Sequence, residues 1–190
     1  MNSIKIAVSG SHSTGKTTFL NDLSKLLIKK KVDFKIIGDL AIKCPLPILK
    51  EHTVESTLWI ASEGIIKEIE SENATKVVLV DRPILDCWAY FNVVCQGKYE
   101  ETDPKLKTLI QMITNWLPTY DYIYQTVINE NIPIEDNKGR DLNPEYRRQI
   151  GDELIKASKI FGVNAIPLKH NDKDKEIRIL MKNIITSLEL

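Results

Sequence analysis

Gly10-Ser11-His12-Ser13-Thr14-Gly15-Lys16-Thr17-Thr18 sets two glycines around four small or polar residues, then a lysine and two threonines. Glycines let backbone N–H groups turn inward toward an anion, and a helix starting behind them adds the positive end of its dipole. Gly10-x4-Gly15-Lys16-Thr17 is the P-loop pattern. The run Gly10 to Thr18 is therefore expected to cradle the phosphate chain of a nucleoside triphosphate. Lys16 would reach the β- and γ-phosphates of ATP, and the Thr17 hydroxyl would bind Mg²⁺. His12 has no chemical role of its own in this pattern and is expected to face solvent. A random match to the pattern in a chain of 190 residues has a probability below about 1%.

A P-loop does not choose among kinase, GTPase, motor ATPase and transporter. Val80-Asp81-Arg82-Pro83 adds information. An acidic residue ending an apolar strand beside the P-loop strand can hold Mg²⁺, directly or through water. The arginine next to Asp81 would point a bidentate cation into the cleft where α/β proteins bind ligands, as a grip for an acceptor or its phosphate.

The elements around these residues follow from periodicity. Ile4–Val8, Phe34–Ile37, Val77–Val80, Tyr122–Val127 and Ala165–Leu168 read as short buried strands. Helices are expected at 16–31, 53–70, 84–96, 104–116, 143–161 and 172–188. Asn143-Pro144-Glu145 supplies an N-cap and a first-turn proline. Alternation of strand and helix predicts one α/β domain over 1–190, a parallel sheet with helices on both faces. Residues 128–143, polar and charged with Pro133 and Gly139, are expected to form a long loop.

Charge and composition restrict the partners. Lys+Arg and Asp+Glu are 26 each, so no overall field favours a long nucleic acid or an anionic membrane. The start of the chain does not read as a signal peptide, and no run approaches a membrane span. Three cysteines without CxxC spacing read as reduced thiols, with Cys87 and Cys95 packed in the core, and a cytoplasmic setting is expected.

The run DRPILDCWAY (residues 81–90) resembles the D-R-x-x-x-x-x-x-A-Y/F segment of thymidylate kinases and is similar to the E-R-S segment of deoxynucleoside kinases. The chain as a whole is similar to the small P-loop kinases typified by the ribosylnicotinamide kinase domain of bacterial NAD regulators. That resemblance implies a P-loop three-layer sandwich with a five-stranded parallel sheet in the order 2-3-1-4-5. It also implies ATP- and Mg²⁺-dependent phosphoryl transfer to a nucleoside or nucleotide-like small molecule. Asp81 and Arg82 would take the Mg²⁺ and acceptor roles. Residues 128–148 look like the family's lid, with Arg140 catalytic and Arg147 on the nucleotide. A lid arginine stabilises the charge of a dissociative transition state. Arg140 and Arg147 are seven apart and share a face if the helix starts early enough, while Arg148 points elsewhere, toward the adenine. Related kinases often pair through helices, which extends to this chain as a homodimer.

Two departures leave the acceptor open. Related kinases often carry a glutamate after the second strand, and here Asp39 stands there, either as proton acceptor or as a cap on the next turn. Asp86-Cys87 replaces a pair of small hydroxyl residues, so Asp86 either contacts an acceptor or caps its helix. Among the aromatics, Tyr90 and Trp116 are expected in the core, and Trp59 is open between core and base stacking.

Other classes fit less well. A guanine-reading Asn-Lys-x-Asp is broken at Asn137-Lys138-Gly139-Arg140, and no LSGGQ signature of an ABC-type ATPase is present. A simple ATPase and a catalytically idle nucleotide sensor stand as the alternatives.

Overall fold

The computed structural model of the chain describes residues 3–134 and 142–189. Five strands, β1 (Ile4–Ser9), β2 (Phe34–Ile37), β3 (Val77–Asp81), β4 (Tyr122–Thr126) and β5 (Ile166–Leu168), alternate with six helices. The helices are α1 (Lys16–Lys29), α2 (Val54–Glu72), α3 (Ile84–Cys95), α4 (Pro104–Trp116), α5 (Pro144–Ile160) and α6 (Lys173–Ser187). All pairings are parallel and the order is β2-β3-β1-β4-β5, as expected. The register sets Val8 beside Asp81 and Tyr124, so β1, β3 and β4 end together.

Alternation of side chains across the sheet separates two cores. Ala7, Val78, Val80 and Ile123 point toward the α2–α5 face, while Ile6, Val8, Leu79 and Tyr124 point toward α1 and α6. That is the three-layer arrangement. β1 and β3 are covered on both faces, which is why they read as unbroken apolar runs.

Helix ends follow local chemistry. Thr53 and Ser56 form a reciprocal capping box at the start of α2. Asn143 accepts from the Glu145 N–H ahead of Pro144, as the sequence led us to expect. Asp103 caps α4 through the Lys105 and Leu106 N–H groups, a cap the sequence reading did not identify. Between β2 and α2, Cys44-Pro45-Leu46-Pro47 lies between two short 3-10 turns. No helix among the described residues is long and apolar enough to cross a membrane.

The central strand also carries a buried cation. Lys5 lies against Glu68 (3.2 Å) and Glu72 of α2, with its ammonium 4.5 Å from the centre of the Trp116 ring. Trp116 Nε1 and the Tyr120 hydroxyl both donate to Glu68. Trp116, expected as plain core, thus joins a polar network that ties α2 to α4 and the sheet.

Candidate active site

The nucleotide loop runs from the end of β1 into α1. Gly10 (φ 150°) and Gly15 (φ 85°) occupy backbone conformations that favour glycine. A Cβ on Gly10 would lie 1.8 Å from Thr126 Oγ1 at the end of β4. Thr126 and Thr14 hydroxyls are 2.6 Å apart, and Thr126 also reaches Ser9 O at 3.1 Å, so β4 braces the loop. Lys16, 5% exposed, curls back to donate to Ser11 O at 2.7 Å. Gly10→Ala is expected to lower ATP affinity at least tenfold, and stability by about 1–3 kcal/mol. Calorimetric ATP titration and urea unfolding check both effects.

Thr17 opens α1 and donates to Asp81 Oδ2 at 2.7 Å, while Asp81 Oδ1 is buried without a hydrogen-bond partner. Hydroxyl and carboxylate oxygens beside a phosphate loop suit Mg²⁺, which takes few protein ligands and completes its shell with water and phosphate. Among the described residues no group of three or more His, Cys, Asp and Glu forms a metal cage. Thr18 lies exposed on the first turn of α1.

Arg82 follows β3 with φ 72°, an uncommon left-handed conformation for a non-glycine residue. Its Nε donates to Asp39 Oδ2 (2.6 Å), and one terminal nitrogen donates to Gly10 O (3.2 Å) and the Tyr90 hydroxyl (2.9 Å). Its guanidinium lies 5.0 Å from the Tyr90 ring centre. Asp39 also accepts from the Ala41 N–H, so it caps its turn and pairs with Arg82. Burial raises the Asp39 carboxyl, but Arg82 and the Ala41 N–H outweigh it and hold the group below its ordinary value. Tyr90 packs against the core as expected and also presents its hydroxyl to the site, a role the sequence did not disclose.

Asp86 is on the first turn of α3, but its carboxylate does not cap that helix. Oδ2 accepts from the Gly10 N–H at 3.2 Å and lies 3.6 Å from Arg82. Burial pushes the carboxyl up to about 6, opposed by Arg82 and Lys16. A carboxyl raised in the folded state adds stability below its unfolded value near 3.8 and loses it as pH rises through 6. Asp86→Asn should therefore stabilise the ligand-free protein, and more at pH 7.5 than at pH 5, read by urea unfolding.

An apolar cavity opens beside this cluster between the loops after β2 and the helices α2 and α3. Ile37, Leu40, Ile48, Leu49 and Ile65 supply its walls; Asp39, Arg82, Asp86 and Tyr90 stand among its polar groups. Cys87 also faces it, whereas Cys95 is buried and donates to His52 O at 2.9 Å. Trp59 does not line it, and Trp88 packs against Phe91 and Phe161.

Helix α5 roofs the nucleotide loop. Arg147 is 4% exposed and donates to Ser13 O and Ile132 O, both at 3.0 Å. His12 is buried rather than solvent-facing, stacked 6.3 Å from the Tyr146 ring, because α5 covers the tip of the loop. Arg148 is exposed and forks onto Glu145. Arg140, with the centre of the expected lid at 135–141, lies outside the described residues. Thr126, Tyr146 and Lys173, whose ammonium donates to Gly15 O at 3.3 Å, were not identified from the sequence.

The family model described as AAA domain matches residues 5–175. No curated protein sequence matches the chain. Among solved structures, a deoxyadenosine kinase from M. mycoides with dCMP and dCDP bound has a TM-score of 0.66 at 16% identity, over 96% of this chain and 100% of that one. NadR in complex with NR gives 0.63 at 16% identity, over 90% of this chain and 44% of that one. Thymidylate kinase from Candida albicans gives 0.61 at 16% identity, over 98% and 92%. At these identities the likeness is one of fold.

Proposed function

The chain belongs to the AAA domain family, and on that premise we propose that it is a P-loop phosphotransferase moving the γ-phosphate of ATP to a nucleoside or nucleotide-like small molecule. The observation that carries this reading is the cavity adjoining the nucleotide loop, with Arg82, Asp39 and Asp86 on its lining. Hydrolysis needs only room for water; a separate, largely apolar compartment beside the phosphate loop suits a second organic substrate.

In this reading Lys16 exchanges Ser11 O for phosphate oxygens, and backbone N–H groups from Gly10 to Thr18 hold the polyphosphate. Thr17 and Asp81 would hold Mg²⁺, which would supply charge neutralisation on the phosphates. Arg82 orients the acceptor from its fixed place between Asp39 and Tyr90. Arg147 ties the loop to the segment at Ile132, and the role proposed for Arg140 is to stabilise the charge that develops on the transferred phosphoryl group.

ADP release from ATP and Mg²⁺ is to be measured with nucleosides, deoxynucleosides, their monophosphates and nicotinamide riboside against an acceptor-free control. Release that rises with one acceptor class is the expected result. Equal release in every mixture would instead favour a simple ATPase, a reading to which the AAA description of the family lends weight.

A further inference from the structure

Among the described residues facing the cavity, the only Lys or Arg is Arg82, and three carboxylates accompany it: Asp39, Glu68 and Asp86. The guanidinium is already engaged. It pairs with Asp39 at 2.6 Å, lies 3.6 Å from Asp86, and donates to Gly10 O and the Tyr90 hydroxyl. Glu68 has its counterion, Lys5, on the sheet. His52 adds no cation, since burial lowers it to about 4. Among the acidic side chains and Lys or Arg, leaving aside His12, which also lines the cavity, the pair Asp39 and Asp86 outweighs Arg82 where an acceptor must approach the nucleotide loop.

Asp86 gives an independent sign. It is 2% exposed and lines the cavity, its Oδ2 takes the Gly10 N–H, and its Oδ1 makes no well-formed hydrogen bond, the nearby Ser9 hydroxyl being itself unpartnered. A buried carboxylate oxygen without a donor is costly. A hydroxyl satisfies it, whereas a phosphate oxygen, an acceptor itself, repels it.

We infer that the acceptor presents a bare hydroxyl on a neutral or cationic body, that Asp86 receives this hydroxyl, and that a phosphomonoester is rejected from the cavity. This rests on the phosphotransferase reading above. In the transfer, the hydroxyl oxygen forms a bond to the γ-phosphorus while the bond from that phosphorus to the β,γ-bridging oxygen breaks. ADP leaves with the electron pair, and the hydroxyl proton passes to the Asp86 carboxylate and on to solvent. A fully ionised phosphate nucleophile has no such proton to give.

The test uses matched pairs on the whole chain: thymidine and dTMP, deoxycytidine and dCMP, guanosine and GMP, nicotinamide riboside and its 5′-phosphate. Binding is read by calorimetry with the donor site filled by non-hydrolysable AMP-PNP and Mg²⁺, and transfer by ADP release with ATP. In each pair that binds, the unphosphorylated member is expected to bind at least tenfold tighter and to show at least tenfold higher kcat/KM. Asp86→Asn should narrow the gap several-fold by weakening the hydroxyl compound and admitting its phosphate. A monophosphate that binds as tightly and is phosphorylated overturns the inference while leaving the kinase reading intact. Transfer to neither member of any pair, with ATP bound, overturns the kinase reading and this inference with it.

Discussion

Lys16→Met should reduce phosphoryl transfer by about 10²–10³-fold, the scale seen when one fixed electrostatic group is removed from a reacting centre, while leaving the protein at least as stable as before. The two halves have one cause. Burial, and then the neighbouring charge of Arg82, lower the Lys16 ammonium to about 7, with Asp81, Asp86 and Asp39 opposing. A lysine depressed in the folded state adds stability above its unfolded value near 10.5 and loses it as pH falls through the folded value. At neutral pH it is therefore a cost to the ligand-free fold, which a methionine of similar length removes. That cost is offset when phosphates arrive and replace Ser11 O as the partner. Transfer rates, ATP affinity and Tm, measured side by side, separate this from simple unfolding. A variant with wild-type turnover would remove Lys16 from the site, and one with a sharply lower Tm would refute the electrostatic account.

What the sequence disclosed and what it hid divide along physical lines. The nucleotide loop was legible because its pattern is local: two glycines, a lysine and a hydroxyl at fixed spacing, between a strand and a helix. The strands were legible because a doubly covered parallel strand must be apolar throughout, as Val77–Val80 is. The family resemblance gave the strand order, and the sheet has it. His12 was misplaced, and the polar role of Tyr90 missed, because their surroundings come from distant parts of the chain. His12 is buried only because α5 crosses the loop, and Tyr146 and Arg147, more than 130 residues on, make that contact. Tyr90 has the spacing of a core residue, but the left-handed backbone at Arg82 brings a guanidinium to its hydroxyl. Thr126 carried a usable signal: a hydroxyl residue ending the strand that borders β1 must meet the start of the nucleotide loop. The two readings of Asp39 were not exclusive, since one carboxylate both caps the turn and pairs with Arg82.

Arg82→Ala should lose both transfer and stability, and the second loss should depend on pH. The guanidinium holds Asp39 at 2.6 Å, Asp86 at 3.6 Å, and the carbonyl of Gly10. Removing one member of a buried ion pair costs about 3–5 kcal/mol, because the remaining charge is left uncompensated. Protonation of Asp86 reduces this to about 2–4 kcal/mol near pH 7.5, while alanine, which keeps a Cβ, leaves the left-handed backbone strain in place. Asp86 is already raised to about 6 with the cation present, and Arg82 is the largest influence lowering it. Without the cation it takes up a proton more readily, so the deficit against wild type should shrink between pH 7.5 and 5.5. Arg82→Lys should not rescue transfer, since one ammonium cannot reproduce a fork that serves Asp39, Gly10 O and Tyr90 together. The double variant Arg82→Ala with Asp86→Asn separates the roles. It removes the more buried of the two carboxylates that the alanine strands, leaving Asp39, and should recover part of the lost stability while transfer stays at least about 10²-fold down. If the double variant were as unstable as Arg82→Ala alone, charge balance would not be what Arg82 supplies to the fold. If either alanine variant transferred phosphate at the wild-type rate, Arg82 would have no part in gripping the acceptor.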